Sequence, residues 1–175
     1  MFKIPDFSSP NQGYPVLFLM HGAVQTALSW FFGLNPWSLK QTVFSKKFLE
    51  KGFIIIAPTA GRPITFGPRA WDSISLKNNS EDVVTIKECI KWLENSSLKA
   101  DLNNLFFVGF SSGGFMTIWL GKTLQDKINA IAVHSAAYAE SIKITKKGLE
   151  FNCTSQLNFS KQYPPTILIH GKKTN

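Results

Sequence analysis

The segment Leu105-Phe106-Phe107-Val108-Gly109-Phe110-Ser111-Ser112-Gly113-Gly114 constrains the fold of this chain more than any other. The apolar run LFFV is what a strand buried on both faces looks like. It leads directly into Gly-x-Ser-x-Gly, and a largely apolar helical stretch, Phe115 to Gln125, follows. A strand that turns at once into a helix with a serine at the turn needs glycine on both sides. Side chains two residues before and after the serine would collide. The turn lifts the Ser111 hydroxyl into the open and leaves the N–H of Ser112 at a helix N-terminus, where it can help hold a developing oxyanion. Only Ser111 has glycine at both flanking positions, so Ser112 is a poor alternative nucleophile. A phosphate-cradling turn is the competing reading. It would need the Lys-Ser/Thr ending of a P-loop or a Gly-x-Gly-x-x-Gly, and the sequence has neither.

The rest of the chain repeats the strand–helix alternation. Tyr14 to Met20 (YPVLFLM), Phe53 to Ala57 (FIIIA, closed by Pro58), Ile128 to Val133 and Thr166 to Ile169 read as further buried strands. A helix is expected from about Pro36 to Lys51, with Pro36 suited to a first turn. A second, amphipathic helix is expected from about Ser80 to Glu94. On it Val83, Ile86, Ile90 and Leu93 recur at helical spacing, and Glu81 and Asp82 lie in the first turn, where the dipole favours acids. Alternating strands and helices imply βαβ units. The fold class is therefore α/β: a doubly wound, mostly parallel sheet with helices on both faces and its active site at the carboxyl ends of the strands. Residues 58–79, rich in Pro, Gly, Ser and Asn, read as a long loop of the kind that carries function. The polar stretch 137–163 reads as a small cap or lid, and a length of 175 residues suits a single domain, 1–175.

Composition narrows the function classes. Hydrophobic residues make up 44% and charged residues 17%, which fits a globular chain and not a disordered one. Lysine and arginine outnumber acids 19 to 11, a formal charge of +8. These cations come singly or in pairs such as Lys46-Lys47, Lys146-Lys147 and Lys172-Lys173. That pattern points to a solvated basic surface and away from nucleic acid as a partner. No stretch reaches the ~18 apolar residues of a membrane span. The N-terminus MFKIPDFSSP has no apolar core of a signal peptide, which leads us to expect a cytoplasmic protein unless a preceding segment directs it outward. Cys89 and Cys153 make no disulfide framework, and no Cys/His cluster has zinc spacing, so no metal site is expected.

A second oxyanion donor should come from the loop after the first strand, His21-Gly22-Ala23-Val24. The N–H of Ala23 is the first choice and that of Val24 the next. His21, directly after a strand, reads as a brace for this loop and not as a base. Trp71 and Phe110 are the candidate substrate contacts. Phe115 and Trp119 stand four apart on a buried helix and read as core, and Asp72 reads as a turn residue.

These elements together resemble the α/β-hydrolases. Within that superfamily they resemble the feruloyl esterase and polyhydroxybutyrate depolymerase-like group, with dienelactone hydrolase-like esterases close by. The segments that carry the resemblance are LFLMHGAVQTA, AWDS, EDVVTIKECIKWL, NNLFFVGFSSGGFMT and PPTILIHG, which span roughly residues 14–135 and 164–171. The resemblance implies a Ser-Asp-His triad in that chain order, ester hydrolysis through an acyl-enzyme, no cofactor, and a small-molecule or polymeric ester as substrate. Ser111 carries over as the nucleophile. The acid would follow His170-Gly171, where the sequence reads Lys172-Lys173-Thr174-Asn175. The acid and the base are therefore expected beyond Asn175, together with the last strand and helix of the fold. Inside the chain, His134 is a weaker alternative base and Glu140 a displaced acid. A serine peptidase or acyltransferase of the same fold, and a hydrolase-like protein that binds without catalysis, are the competing functions.

Overall fold

A computed structural model describes residues 1–33, 35–61, 69–72, 80–137, 141–145, 148–152 and 163–171. The strands are β1 (Phe2–Lys3), β2 (Tyr14–Met20), β3 (Ile54–Ile56), β4 (Ala100–Phe110), β5 (Ala130–His134), β6 (Ser141–Thr145), β7 (Gly148–Asn152) and β8 (Thr166–Ile169). Among the described residues three α-helices accompany them: α1 (Pro36–Glu50), α2 (Glu81–Glu94) and α3 (Ser112–Thr123). Six strands form one sheet in the order β1-β3-β2-β4-β5-β8. All its pairings are parallel except that of β1 with β3. This is the doubly wound α/β architecture expected from the strand–helix alternation.

The period of two along β2 distributes the core. Val16, Phe18 and Met20 face one side, where they pack with Val83, Ile86 and Ile90 of α2 and Met116 and Leu120 of α3. Leu17 and Leu19 face the other side, toward Trp30, Phe31 and the α1 residues Phe44 and Phe48. Both faces are covered, and for that reason the strand reads as a continuous apolar run.

The main departures from expectation lie at element ends. Strand β4 starts at Ala100, well before the LFFV run, because Ala100 and Asp101 pair with Tyr14 and Pro15 ahead of a register shift at Pro15/Val16. The polar residues Asp101, Asn103 and Asn104 hid this extension. Helix α3 starts at Ser112, three residues before its apolar stretch, because Gly113 and Gly114 carry no helix signal of their own. A short 3₁₀ helix, Ala27–Trp30, with the Thr26 side chain accepting from the Leu28 N–H, had no sequence signal. Within the stretch expected to be a cap, β6 and β7 pair antiparallel. Most of the remainder of 137–163, and most of the loop 58–79, lie outside the described residues. Among the described residues no helix is long and apolar enough to cross a membrane.

Phe18 and Phe107, each 0% exposed, stack across β2 and β4 with centroids 4.5 Å apart and planes 3° from parallel. Phe107→Ala is expected to lower stability by about 3–5 kcal/mol in urea unfolding. A double-mutant cycle with Phe18→Ala should return a coupling of about 0.5–1.5 kcal/mol.

Candidate active site

The elbow between β4 and α3 is set by steric contact. A Cβ at Gly113 would lie 2.3 Å from the Met20 carbonyl oxygen and 2.5 Å from that of His21. At Gly109 a Cβ would meet the Gly113 oxygen at 2.2 Å. Glycine at both positions therefore lets α3 start directly against the end of β2. Ser111, between them, has φ 52° and ψ −118°, a conformation that a non-glycine residue adopts only under constraint. The constraint is visible on both sides of the residue. The Ser111 N–H donates to the His134 oxygen at 2.8 Å, and the Ser111 carbonyl accepts from the N–H groups of Gly114 (2.8 Å) and Phe115 (3.2 Å). The Ser111 hydroxyl caps nothing in the helix it begins.

The loop after β2 lies beside this turn. His21 is 0% exposed. Its Nε2 accepts the Ala60 N–H at 3.0 Å, which assigns the ring proton to Nδ1, and Nδ1–H donates to the Gly22 oxygen at 2.7 Å. Burial pushes the His21 pKa below its ordinary value, against smaller upward pulls from the Gly22 carbonyl and Asp82. The Gly22 N–H is taken by Gln25 Oε1 at 2.8 Å, and the Val24 N–H by the Arg69 oxygen at 2.9 Å. Val24 itself sits at φ 63° and is 75% exposed, an outlier for a β-branched residue. Among the described residues no group accepts from the N–H of Ala23 or of Ser112. Of the two donors considered for the loop, Val24 is thus engaged elsewhere and Ala23 is not.

Trp71 is placed differently from expectation. The sequence suggests it as a substrate contact, and in the structure its side chain is 0% exposed. Its indole Nε1–H donates to the His21 oxygen at 2.7 Å, its backbone N–H donates to Ser112 Oγ at 3.1 Å, and its ring lies 4.9 Å from the His21 ring. Trp71 is a brace between the two loops of the site. Phe110 is half-buried, close enough to Gly22 that a Cβ there would touch its Cδ1 at 2.8 Å, and 5.3 Å from the His134 ring.

No histidine among the described residues hydrogen-bonds the Ser111 hydroxyl. His21 is committed to Gly22 and Ala60, and the Nδ1 of His134, an exposed residue, lies 2.7 Å from Ser135 Oγ. His170 is exposed just past β8. Glu140 and residues 172–175, where a displaced or family acid was considered, lie outside the described residues, as does Cys153. Cys89 is half-buried, and burial pushes its thiol up. Among the described residues no group of three or more His, Cys, Asp or Glu could hold a metal ion.

Asp82 was read only as a first-turn acid, yet it is 3% exposed and its two oxygens accept the N–H groups of Gly61 (2.9 Å) and Asp72 (2.6 Å). A signal was present in the sequence. Asp82 stands four residues before Ile86 and so belongs to the apolar stripe of α2, where a carboxylate must have buried partners.

Residues 54–174 match the model of the phospholipase/carboxylesterase family. The chain is 29% identical over 151 residues to the dipeptidyl-peptidase 5 of Aspergillus oryzae, an alignment covering 84% of this chain and 19% of that protein. It spans about a fifth of the length of the curated relatives it matches. Among solved structures, a fluorophosphonate-binding serine hydrolase of Staphylococcus aureus superposes with a TM-score of 0.64 at 18% identity, covering 98% of this chain and 72% of that one. The acetyl xylan esterase of Aspergillus awamori superposes with a TM-score of 0.55 at 22% identity, covering 75% of this chain and 44% of that one. Both likenesses are of fold.

Two outcomes follow from this geometry. Gly113→Ala forces a methyl group onto two backbone oxygens, so it should destabilise the chain by about 1–3 kcal/mol or more in chemical denaturation. His21 gives a pH dependence with a defined sign. Below about pH 6.5 the unfolded chain takes up a proton at His21 that the folded chain resists. The stability His21 contributes is therefore complete above that pH and is lost as pH falls through it toward the lower folded value. Thermal melting from pH 7.5 to 5 should show this decline, and His21→Gln should flatten it.

Proposed function

This chain belongs to the phospholipase/carboxylesterase family, and from that premise we propose that it cleaves carboxylic esters through a covalent acyl-enzyme on Ser111. The observation that carries the proposal is the strained Ser111 turn, with the N–H groups of Ser112 and Ala23 beside it, which no group among the described residues accepts. In the proposed reaction Ser111 Oγ attacks the ester carbonyl carbon while a base takes its proton. The carbonyl oxygen becomes an oxyanion between the N–H groups of Ser112 and Ala23, each such donor being worth about 10²–10³ in kcat. Collapse breaks the bond to the alcohol oxygen, which receives the proton. Water, activated by the same base, then releases the acid and restores Ser111.

We assign Phe110, half-buried beside Gly22, to the contact with the substrate. Feruloyl or aryl esters, polyesters and short acyl esters are the substrate classes proposed. The fold neighbour named as an acetyl xylan esterase makes short acyl esters the first to try.

The test is hydrolysis of a short-chain p-nitrophenyl ester by the protein that carries this chain, together with labelling by a fluorophosphonate. Ser111→Ala should abolish labelling and lower kcat by about four orders of magnitude or more. Ester hydrolysis that survives Ser111→Ala would overturn the assignment. The dipeptidyl-peptidase relatives motivate one control: faster cleavage of a dipeptide anilide than of any ester would make the protein a peptidase. Absence of labelling in the wild type would leave a binding protein.

A further inference from the structure

Asp82 has no role in the proposed reaction, and the ordinary reason for an acid in a first helical turn does not account for it. The N-terminus of α2 is already capped, since Ser80 Oγ accepts the Val83 N–H at 3.3 Å, and Glu81 supplies an exposed acid there. Burying a carboxylate is unfavourable unless its oxygens are satisfied. Asp82 satisfies both by holding two separate backbone N–H groups, that of Gly61 through Oδ1 and that of Asp72 through Oδ2.

Their neighbours hold the rest of the site. Next to Gly61, the Ala60 N–H donates to His21 Nε2. Next to Asp72, Trp71 donates from its backbone to Ser112 Oγ and from its indole to the His21 oxygen. Between them, the Arg69 oxygen takes the Val24 N–H and the Arg69 Nη1 donates to the Ala60 oxygen at 3.2 Å. Residues 60 and 69–71 thereby touch the chain on both sides of Ala23, at His21 two residues before it and at Val24 next to it, and also Ser112 itself.

We propose that Asp82 is a positioning residue, which, by tying Gly61 to Asp72, fixes the separation of the Ala23 and Ser112 N–H groups. This rests on the assignment of those groups as the oxyanion donors of Ser111. Such donors act over a few tenths of an ångström, and a misplacement of about 1 Å can lower the rate by about 10²-fold. Asp82 does not touch the substrate. It acts through Trp71 and His21.

Asp82→Asn tests this because it keeps the shape but turns one acceptor oxygen into an NH₂ that faces a backbone N–H. Ser112→Ala removes the acceptor for the Trp71 N–H, and Ser112→Thr keeps a hydroxyl in that place. Rates are expressed per fluorophosphonate-reactive site, so that a loss of folded protein does not count. Asp82→Asn and Ser112→Ala should each lower kcat by about 10–100-fold with KM changed less than about threefold, and Ser112→Thr should recover at least tenfold of the Ser112→Ala loss.

A second readout needs no turnover. In ¹⁵N–¹H spectra, Asp82→Asn should shift the amides of Ala23, Val24 and Ser112 and speed exchange of the Trp71 indole N–H, assigned through Trp71→Phe. The Ile55 amide, on β3, should stay in place. Unmoved Ala23 and Ser112 amides, or a lowered melting temperature with kcat per site unchanged, would overturn the proposal. If the wild type shows no labelling, the ester-hydrolase reading fails while the spectra still decide what Asp82 holds. If Asp82→Asn does not fold, the Ser112 pair decides through the same amides.

Discussion

Gly113 is where α3 meets the end of β2, and the rest of the site depends on that contact. The backbone oxygens of Met20 and His21 occupy the space a Cβ would need, within 2.5 Å. Because the helix can start there, Ser111 is driven to a positive φ, its N–H is drawn to the β5 oxygen of His134, and no group among the described residues accepts the Ser112 N–H. The same closeness brings His21 under the elbow, so that a strand end, a turn and a helix start share one small volume. Strain at one residue is offset by several hydrogen bonds around it, the usual condition under which such a conformation persists.

A second layer surrounds this contact and is polar. The side chains of His21, Ser112 and Asp82 accept the backbone N–H groups of Ala60, Gly61, Trp71 and Asp72, and the Trp71 indole donates to the His21 oxygen, all at 2.6–3.1 Å. Buried polar networks of this kind specify one arrangement, because each member left without its partner carries a desolvation penalty. The network also explains why the chain tolerates Val24 at φ 63°: the Arg69 oxygen holds its N–H, and Gln25 holds that of Gly22. The backbone between them, at Ala23, is held on both sides, while no group among the described residues accepts its own N–H.

Much of this was legible in the sequence, and what was not has physical causes. Most buried strands announced themselves by uninterrupted apolar runs, and Tyr14–Met20 and Thr166–Ile169 match their expected limits. Thr166–Ile169 is not the buried strand expected, because at the end of the strand order Ile167, Leu168 and Ile169 stay exposed. The elbow was legible because its glycines are required by sterics, which leaves a fixed spacing in the chain. Trp71 misled because aromatic residues in loops serve equally well as ligand contacts and as braces. Only the tertiary partners, the His21 oxygen and Ser112 Oγ, distinguish the two. Asp82 was overlooked for a related reason: position in a first helical turn gives an acid a sufficient local explanation, and its actual partners lie 10 and 21 residues away in the chain. Hydrogen bonds over such distances leave no periodic trace.

The charge state of His21 joins the two layers. Its Nε2 can accept the Ala60 N–H only while the ring is neutral, since a protonated imidazole has donors on both nitrogens. Asp82 lies near enough to favour the cation, yet burial outweighs it and the net displacement is downward. The carboxylate therefore organises the loop without converting His21 into a second charge beneath the elbow. That balance suits a site whose proposed work is to receive negative charge on a carbonyl oxygen. The donors that face the oxygen are backbone N–H groups, which do not titrate, and the buried anion that helps hold them spends its own lone pairs on Gly61 and Asp72.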